Sequence, residues 1–167
     1  MSAHAPLPDA EQLLTVLIAQ MRPHVVPATG LIGIVTGGAW LAERLHAELK
    51  LEVPFGTLDV SFYRDDFQRK GLKRKVAPSD IPFDVEGRDL ILVDDVLYTG
   101  RTIRAAMNEL FDYGRPARIR LASLVDRGGR ELPIAAQFVG ATVDVKQSLE
   151  LKRDAQGRLS LAFGATE

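Results

Sequence analysis

As far as residue 125, the chain alternates between short apolar runs and stretches in which apolar residues recur at helical spacing. The runs at 31–35 and 89–95 are typical of buried strands, and helical periodicity follows each of them. A further apolar run lies at 118–125, and 55–64 alternates like a half-buried strand. Strands that alternate with helices form a parallel sheet with right-handed crossovers. We therefore predict an α/β fold with a doubly wound, mostly parallel sheet flanked by helices.

The same periodicity predicts three helices. The first begins after Asp9, a good N-cap residue, and ends before Pro23, because proline disfavours the helical conformation in the residue that precedes it. Its inward residues are expected to be Leu13, Leu14, Leu17, Ile18 and Met21. The third helix is expected at 102–113, and the second is marked by Trp40, Leu41, Leu45 and Leu49.

The pattern changes towards the C-terminus, where strands without intervening helices are predicted. The segments 136–145 and 148–163 look like short strands bounded by turn residues. We expect them to form a small β cap, or hood, on the parallel sheet. The chain 1–167 is interpreted as one domain, with its core at about 9–130 and its hood at about 131–167.

Composition excludes several kinds of site. The absence of cysteine excludes disulfides, thiolate metal sites and a cysteine nucleophile, and it fits a cytoplasmic protein. A net charge of -1 gives no overall attraction to nucleic acid. The N-terminus lacks a signal-peptide pattern and no apolar run could span a bilayer, so no membrane partner is expected. A metal site built from histidines is not expected either, because they lie apart in sequence, at His4, His24 and His46.

The segment 90–102 carries the chemistry. Two adjacent carboxylates, Asp94 and Asp95, end a predicted buried strand, where they can accept hydrogen bonds from the vicinal hydroxyls of a ribose. The turn 99–102 then opens a helix, whose free amides and dipole favour a phosphate. A lone acid pair beside a capped turn would suggest a structural role. The full order of strand, paired acids and Thr-Gly-x-Thr turn favours a ribose-phosphate site instead.

This segment resembles the phosphoribosyl pyrophosphate motif of type I phosphoribosyltransferases. Its form at 93–102, Val-Asp-Asp-Val-Leu-Tyr-Thr-Gly-Arg-Thr, is similar to the pyrimidine operon regulator (PyrR) family, whose members double as uracil phosphoribosyltransferases. Further matches lie at 59–66, 80–82, 124–128 and 130–134. The resemblance implies the type I fold and a reaction of uracil with phosphoribosyl pyrophosphate (PRPP) that gives UMP and pyrophosphate. It also implies Mg²⁺ as cofactor and uridine nucleotides, UMP or UTP, as ligands.

The resemblance also implies a role for each matching residue. Asp94 and Asp95 would bind the ribose hydroxyls as catalytic residues and would contact Mg²⁺ mostly indirectly. The PRPP phosphate and ribose would be held by Asp94, Asp95, Val96, Leu97, Tyr98, Thr99, Gly100, Arg101 and Thr102. The pyrophosphate loop would be Thr36, Gly37 and Gly38, with Gly37 standing where many members have arginine. The base would be bound by Val125, Asp126, Arg127 and Gly128.

A basic segment at 63–79 matches the flexible lid of the family. Its cations are Arg64, Arg69, Lys70, Lys73, Arg74 and Lys75. A basic loop is usually just solvated, but this one lies between a strand and the phosphate-binding strand, which favours closure over the substrate. Arg64 is the candidate catalytic cation, and the cation that contacts pyrophosphate is left open.

The alternative function is a pyrimidine-nucleotide-sensing RNA-binding regulator with little or no catalytic activity. RNA binding needs a basic surface, yet Gly129, Ala135 and Ala141 stand where RNA-binding members have histidine, arginine and lysine. RNA is therefore the less favoured partner. A purine phosphoribosyltransferase would share the phosphate motif but not the segment 130–134, and it ranks last. The family further implies a homo-oligomer, a dimer or larger.

Overall fold

The computed structural model describes residues 6–60 and 79–165. The strands of its main sheet are β1 (Gly30–Ile34), β2 (Gly56–Leu58), β3 (Asp89–Leu97), β4 (Arg118–Asp126) and β5 (Phe138–Thr142). All neighbouring pairs are parallel, and the order across the sheet is β2-β1-β3-β4-β5.

Helices flank this sheet, and a separate hairpin lies near the C-terminus. The α-helices of the described residues are α1 (Ala10–Met21), α2 (Gly37–Leu49) and α3 (Arg101–Leu110). The hairpin consists of β6 (Leu149–Arg153) and β7 (Leu159–Phe163), which pair antiparallel. Among these helices, none has the length and apolar character needed to cross a membrane. The predicted fold class, a doubly wound parallel sheet with a small C-terminal β unit, is confirmed.

The sheet separates two apolar cores. On β3, Ile91 and Val93 face the core that packs under α1 and α2, whereas Leu90 and Leu92 face the core under α3. All of these side chains are fully buried. A strand that is covered on both faces must be apolar at successive positions, which explains the continuous apolar run of the sequence at 90–93.

Local chemistry sets the ends of the helices. The Asp9 carboxylate accepts amide hydrogen bonds from the first turn of α1, at 2.9 and 3.3 Å, as predicted for its N-cap. α1 ends at Met21, and the 3-10 turn that follows contains Pro23. α3 begins after Gly100, which takes a φ of 93°, and ends at Leu110 rather than at the predicted residue 113.

Two strand predictions are corrected by the structure. β2 ends at Leu58 rather than running on to residue 64, although Leu58 and Val60 are both buried, as the alternation predicts. The part of that predicted strand beyond residue 60 lies outside the described residues. The segment 138–142 pairs with β4 in parallel, so it belongs to the main sheet and not to the hood. The connection before it, at 127–137, contains no helix, which is why strand–helix alternation ends before the parallel sheet does.

Candidate active site

The carboxyl ends of β1, β3 and β4 lie side by side, because these strands are neighbours in a parallel sheet. Ligands of such sheets bind just beyond these ends. The segments found there are 36–38 after β1, 94–102 at the end of β3, and 126–128 at the end of β4. The fold thus brings the three predicted parts of the site to one edge.

The paired acids lie within β3, which continues to Leu97. Asp94 is only 4% exposed, and its Oδ1 accepts the amide of Asp95 at 2.9 Å. Asp95 is half-buried, and its Oδ1 accepts the amide of Val96 at 2.9 Å. Burying a carboxylate is costly unless it is hydrogen-bonded. These amides therefore both stabilise the acids and fix their orientation.

The turn between β3 and α3 allows a close approach to the backbone. Gly100 has a φ of 93°, and a Cβ there would lie 2.9 Å from the Ile134 side chain, so both conformation and packing require glycine. The Thr99 hydroxyl accepts an amide at the start of α3 at 3.2 Å. The amides of Thr102 and Ile103 lie in the first turn, where no intrahelical acceptor exists. Together with the helix dipole they favour a phosphate.

A cavity of about 420 Å³ opens beside these groups. Every residue from Asp94 to Thr102 lines it, together with Ile103 and with Arg127 from the connection after β4. A further wall comes from the start of the hairpin, through Ser148, Leu149 and Glu150. The structure therefore gathers the whole predicted ribose-phosphate segment around one cavity.

The predicted pyrophosphate loop at 36–38 lies beside the acids without lining this cavity. A Cβ at Gly37 would overlap the Asp95 carboxylate, and a Cβ at Gly38 would overlap the Val93 carbonyl oxygen. Thr36 is the N-cap residue of α2. The two consecutive glycines are thus explained by the close packing of the start of α2 against the end of β3.

The four residues predicted to bind the base differ in whether they reach the cavity. Within the described residues, Arg127 is the member of this group that lines the cavity, while Val125 is fully buried in the core. The Asp126 carboxylate accepts the Gly128 amide at 2.9 Å and Arg130 Nη2 at 2.5 Å. Asp126 and Gly128 therefore shape the loop that follows β4.

The ion pair of this loop affects the acidity of Asp126. Burial alone would raise the pKa of the carboxyl, but the hydrogen bonds from Arg130 and the Gly128 amide, with the Arg130 charge, outweigh burial. The net result is a pKa of Asp126 below its ordinary value of 3.8. Asp126 is therefore ionised at neutral pH, and the charge of Arg130 offsets its negative charge.

The same loop is bound to the segment 98–102, which joins β3 to the start of α3 and is named the phosphate turn after the ligand predicted for it. Arg130 donates to the carbonyl of Tyr98 at 2.7 Å, and the amides of Glu131 and Leu132 donate to the carbonyl of Thr99 at 3.0 and 3.1 Å. The segment 126–134 thus holds the backbone of the turn in place, which gives a structural role to the motif matches at 124–128 and 130–134.

Comparison with known proteins decides the family. The family described as phosphoribosyl transferase domain matches residues 14–150. A protein of Pseudomonas entomophila named Bifunctional protein PyrR is 52% identical over 143 residues, which is 83% of each chain. A protein of the same name from Pseudomonas aeruginosa is 50% identical over 150 residues, covering 87% of this chain and 88% of the relative. The chain belongs to the PyrR family of phosphoribosyltransferases.

Solved structures give the same fold for this PyrR chain. A hypoxanthine-guanine phosphoribosyltransferase of Bacillus anthracis superimposes with a TM-score of 0.65 at 20% identity, over 86% of each chain. A purine phosphoribosyltransferase of Pyrococcus horikoshii gives a TM-score of 0.63 at 23% identity, over 81% of this chain and 83% of that one. The predicted type I phosphoribosyltransferase fold is thereby confirmed. At such identities the fold alone is shared, so the purine bases named for these enzymes do not carry over.

Sequence reasoning missed one wall of the PyrR cavity, namely Ser148, Leu149 and Glu150. They belong to no local motif. The available signal is the alternation of Leu149 and Leu151 with polar residues. This alternation predicts a strand, but it does not tell which ligand or cavity the polar residues meet.

The lid predicted for this PyrR chain is not tested by the structure. Arg64, the candidate catalytic cation, lies outside the described residues, as do the other cations of the segment 63–79. The role of Arg64 therefore stays a prediction.

Proposed function

We propose that this PyrR chain is a uracil phosphoribosyltransferase, which joins uracil to PRPP and releases UMP and pyrophosphate. The observation that carries the proposal is the cavity at the end of β3, which combines paired carboxylates, a phosphate turn and a partly apolar wall. Membership of the PyrR family favours uracil over a purine as the base.

In this proposal the cavity orients PRPP by binding both its 5'-phosphate and its ribose hydroxyls. The 5'-phosphate lies against the amides of Thr102 and Ile103, where the helix dipole favours negative charge. Asp94 and Asp95 accept hydrogen bonds from the two ribose hydroxyls. This arrangement fixes the ribose ring relative to both the leaving pyrophosphate and the incoming base.

The reaction requires no protein nucleophile. The bond from the ribose carbon to pyrophosphate breaks as the bond to the uracil nitrogen forms, and that nitrogen loses its proton to water. Positive charge develops on the ribose carbon in between, and the negative carboxylates of Asp94 and Asp95, hydrogen-bonded to the ribose hydroxyls, would stabilise it. Positioning of the two reactants supplies the rest of the rate enhancement.

The donor set suits Mg²⁺. The described residues contain no group of three or more His, Cys, Asp or Glu side chains that could hold a metal ion by themselves. Mg²⁺ is commonly bound by one or two carboxylates, keeps several waters and takes further oxygens from substrate phosphates. Asp94 and Asp95 are the carboxylates that would hold it, directly or through water. When bound, the ion would neutralise charge on the departing pyrophosphate.

The base is placed against the wall formed by Ser148, Leu149 and Glu150, next to Arg127. These residues complete the lining of the cavity beyond the phosphate turn. Leu149 is 9% exposed and gives the wall an apolar element. The predicted base-binding residues Asp126 and Gly128 enter this proposal through the loop that they stabilise.

The alternative is a regulator that binds RNA and senses uridine nucleotides. What favours it is the name of the Pseudomonas relatives, which calls them bifunctional. Against it stand the missing cations at Gly129, Ala135 and Ala141, the positions that are basic in RNA-binding members.

The deciding experiment measures UMP formation by the purified full-length chain from uracil, PRPP and Mg²⁺. Hypoxanthine and orotate serve as control bases, and removal of Mg²⁺ with a chelator serves as the metal control. We expect turnover that is selective for uracil and is lost without Mg²⁺. No turnover with any base, together with measurable UMP binding, would refute the enzyme and favour the regulator.

A further inference from the structure

Arg127 lines the cavity, and its side chain contacts one wall at Tyr98 and also the segment 145–146, which leads into the wall at 148–150. Its guanidinium carbon lies 4.0 Å from the centroid of the Tyr98 ring, which belongs to the phosphate turn. Its Nε donates to the Val145 carbonyl at 3.2 Å, and its Nη2 donates to the Lys146 carbonyl. Val145 and Lys146 lead into β6, so Arg127 joins the phosphate turn to the hairpin.

The Tyr98 end of this link is fixed from other directions as well. Gly129 packs so closely that a Cβ there would overlap the Tyr98 ring. The Tyr98 carbonyl accepts a hydrogen bond from Arg130 at 2.7 Å. Tyr98 is therefore held at its ring and at its backbone although 45% of it is exposed, and within the phosphate turn it is followed directly by Thr99.

The hairpin end of the link lies close to the cavity. Ser148, Leu149 and Glu150, which follow Lys146 almost directly, line the same cavity as the phosphate turn. The contacts of Arg127 occupy its Nε, its Nη2 and one face of the guanidinium. Arginine suits this task because its planar fork combines stacking with two directed hydrogen bonds, which lysine cannot do.

We propose that Arg127 is a positioning residue that sets the wall formed by residues 148–150 against the phosphate turn, and that it acts on the base through this wall. The proposal differs from a direct base contact, the role that the family resemblance implies for Arg127. Its consequence for catalysis rests on the proposed function. The link itself is present in the chain without substrate and can be tested there.

The ligand-free test uses Trp40, the only tryptophan of the chain. The guanidinium of Arg153, at the end of β6, lies 4.8 Å from the centroid of a Trp40 ring, so Trp40 fluorescence reports how the hairpin docks on α2. We expect Arg127→Ala to increase quenching of Trp40 by acrylamide, and Arg127→Lys to increase it nearly as much. Arg118→Ala, at the exposed opposite end of β4, is the matched control and should leave quenching unchanged.

Unchanged quenching in both Arg127 variants would overturn the proposal. Far-ultraviolet circular dichroism of each variant shows whether it is folded. If Arg127→Ala does not fold, Arg127→Lys still decides the question, because lysine keeps the charge and most of the volume but loses the fork.

Steady-state kinetics separates positioning from direct contact. We expect Arg127→Ala to raise KM for uracil about tenfold or more, the size expected when hydrogen bonds from a charged group are lost, with a smaller change in KM for PRPP. Arg127→Lys should not restore the KM for uracil. Restoration by lysine together with unchanged quenching would show a direct charge contact and refute positioning. If the wild-type chain turns over no base, the proposed reaction fails, while the quenching comparison still supports or refutes the link.

Discussion

At the scale of single residues, the site depends on carboxylates that the backbone of β3 orients. Asp94 and Asp95 each accept the amide of the next residue along the strand. A side chain that is held in this way loses little conformational entropy when it binds a ligand. The ribose hydroxyls would thus meet acceptors that are already in position, and the charge of these acceptors is what a substitution should test.

Replacing Asp94 and Asp95 together with asparagine should weaken PRPP binding and leave the fold intact. Asparagine keeps the shape and an oxygen for the backbone amide, but it loses the charge that the ribose hydroxyls and Mg²⁺ require. A hydrogen bond to a charged group is worth about 1.5–3 kcal/mol, so kcat/KM should fall by about 100-fold or more. Thermal unfolding checks the fold, and Asp112→Asn, at an exposed position beyond α3, is the control. Unchanged activity would contradict the ribose role.

Gly128 and Gly129 form a matched pair for testing how Tyr98 is held. Their φ angles are 76° and 75°, so alanine at either position carries the same left-handed strain of about 1–2 kcal/mol. A Cβ at Gly129 would overlap the Tyr98 ring, whereas no described atom lies within 4 Å of a Cβ at Gly128. In urea unfolding, Gly129→Ala should therefore lose about 1 kcal/mol more free energy of unfolding than Gly128→Ala. Equal losses would show that the ring moves aside freely.

At the scale of elements, the sequence predicts a structural unit well when the residues that determine it follow one another along the chain. The unit of β3, turn and α3 was predictable because its apolar run, its acids, Gly100 and the helix follow one another directly. The wall at 148–150 could not be predicted, because its position depends on how a distant hairpin packs against β3 and α2. The assignment of 138–142 to the hood was wrong, because this strand pairs with β4 in the main sheet. Local periodicity predicts a strand but not its partner, and no helix precedes this strand to indicate a parallel crossover.

The loop after β4 gives a prediction on pH dependence. The pKa of Asp126 is lower in the folded chain than its ordinary value of 3.8, so its ionised form stabilises the fold above that value. This stabilisation is lost as the pH falls through the lowered pKa. Asp126→Asn should therefore destabilise the chain at neutral pH, and its difference from wild type should shrink below pH 3.8.

Urea unfolding of both proteins at neutral pH and at about pH 3 measures this difference. Asp144→Asn, at an exposed position that precedes the hairpin, is the control and should behave like wild type at both values. A loss of stability in Asp126→Asn that stays the same at both pH values would mean that the carboxylate charge contributes nothing. The hydrogen-bond geometry of the loop alone would then account for the loss.

At the scale of the whole molecule, charge bears on the choice between enzyme and RNA regulator. Lysine and arginine number 21 and aspartate and glutamate 22, so no overall field attracts a polyanion. Of the five arginines at 115–130, all within the described part of the chain, four are engaged by protein groups. Arg118 and Arg120 pair with Asp89 at 3.0 and 2.8 Å, Arg130 pairs with Asp126, and Arg127 binds two carbonyls.

Binding to the leader RNA of a pyrimidine operon should therefore be weak even at low salt. Affinity for nucleic acid comes largely from cations that replace counterions along the phosphates, and an arginine that is paired within the fold must first give up its partner. Fluorescence anisotropy of a labelled leader RNA, with and without UMP, measures the affinity at about 50 mM salt. We expect a Kd no tighter than about 10⁻⁶ M, the range of non-specific binding, with no effect of UMP, and an unrelated RNA of equal length should bind equally. Tight binding that is specific for the leader and depends on UMP would contradict this prediction and establish the regulator beside the enzyme.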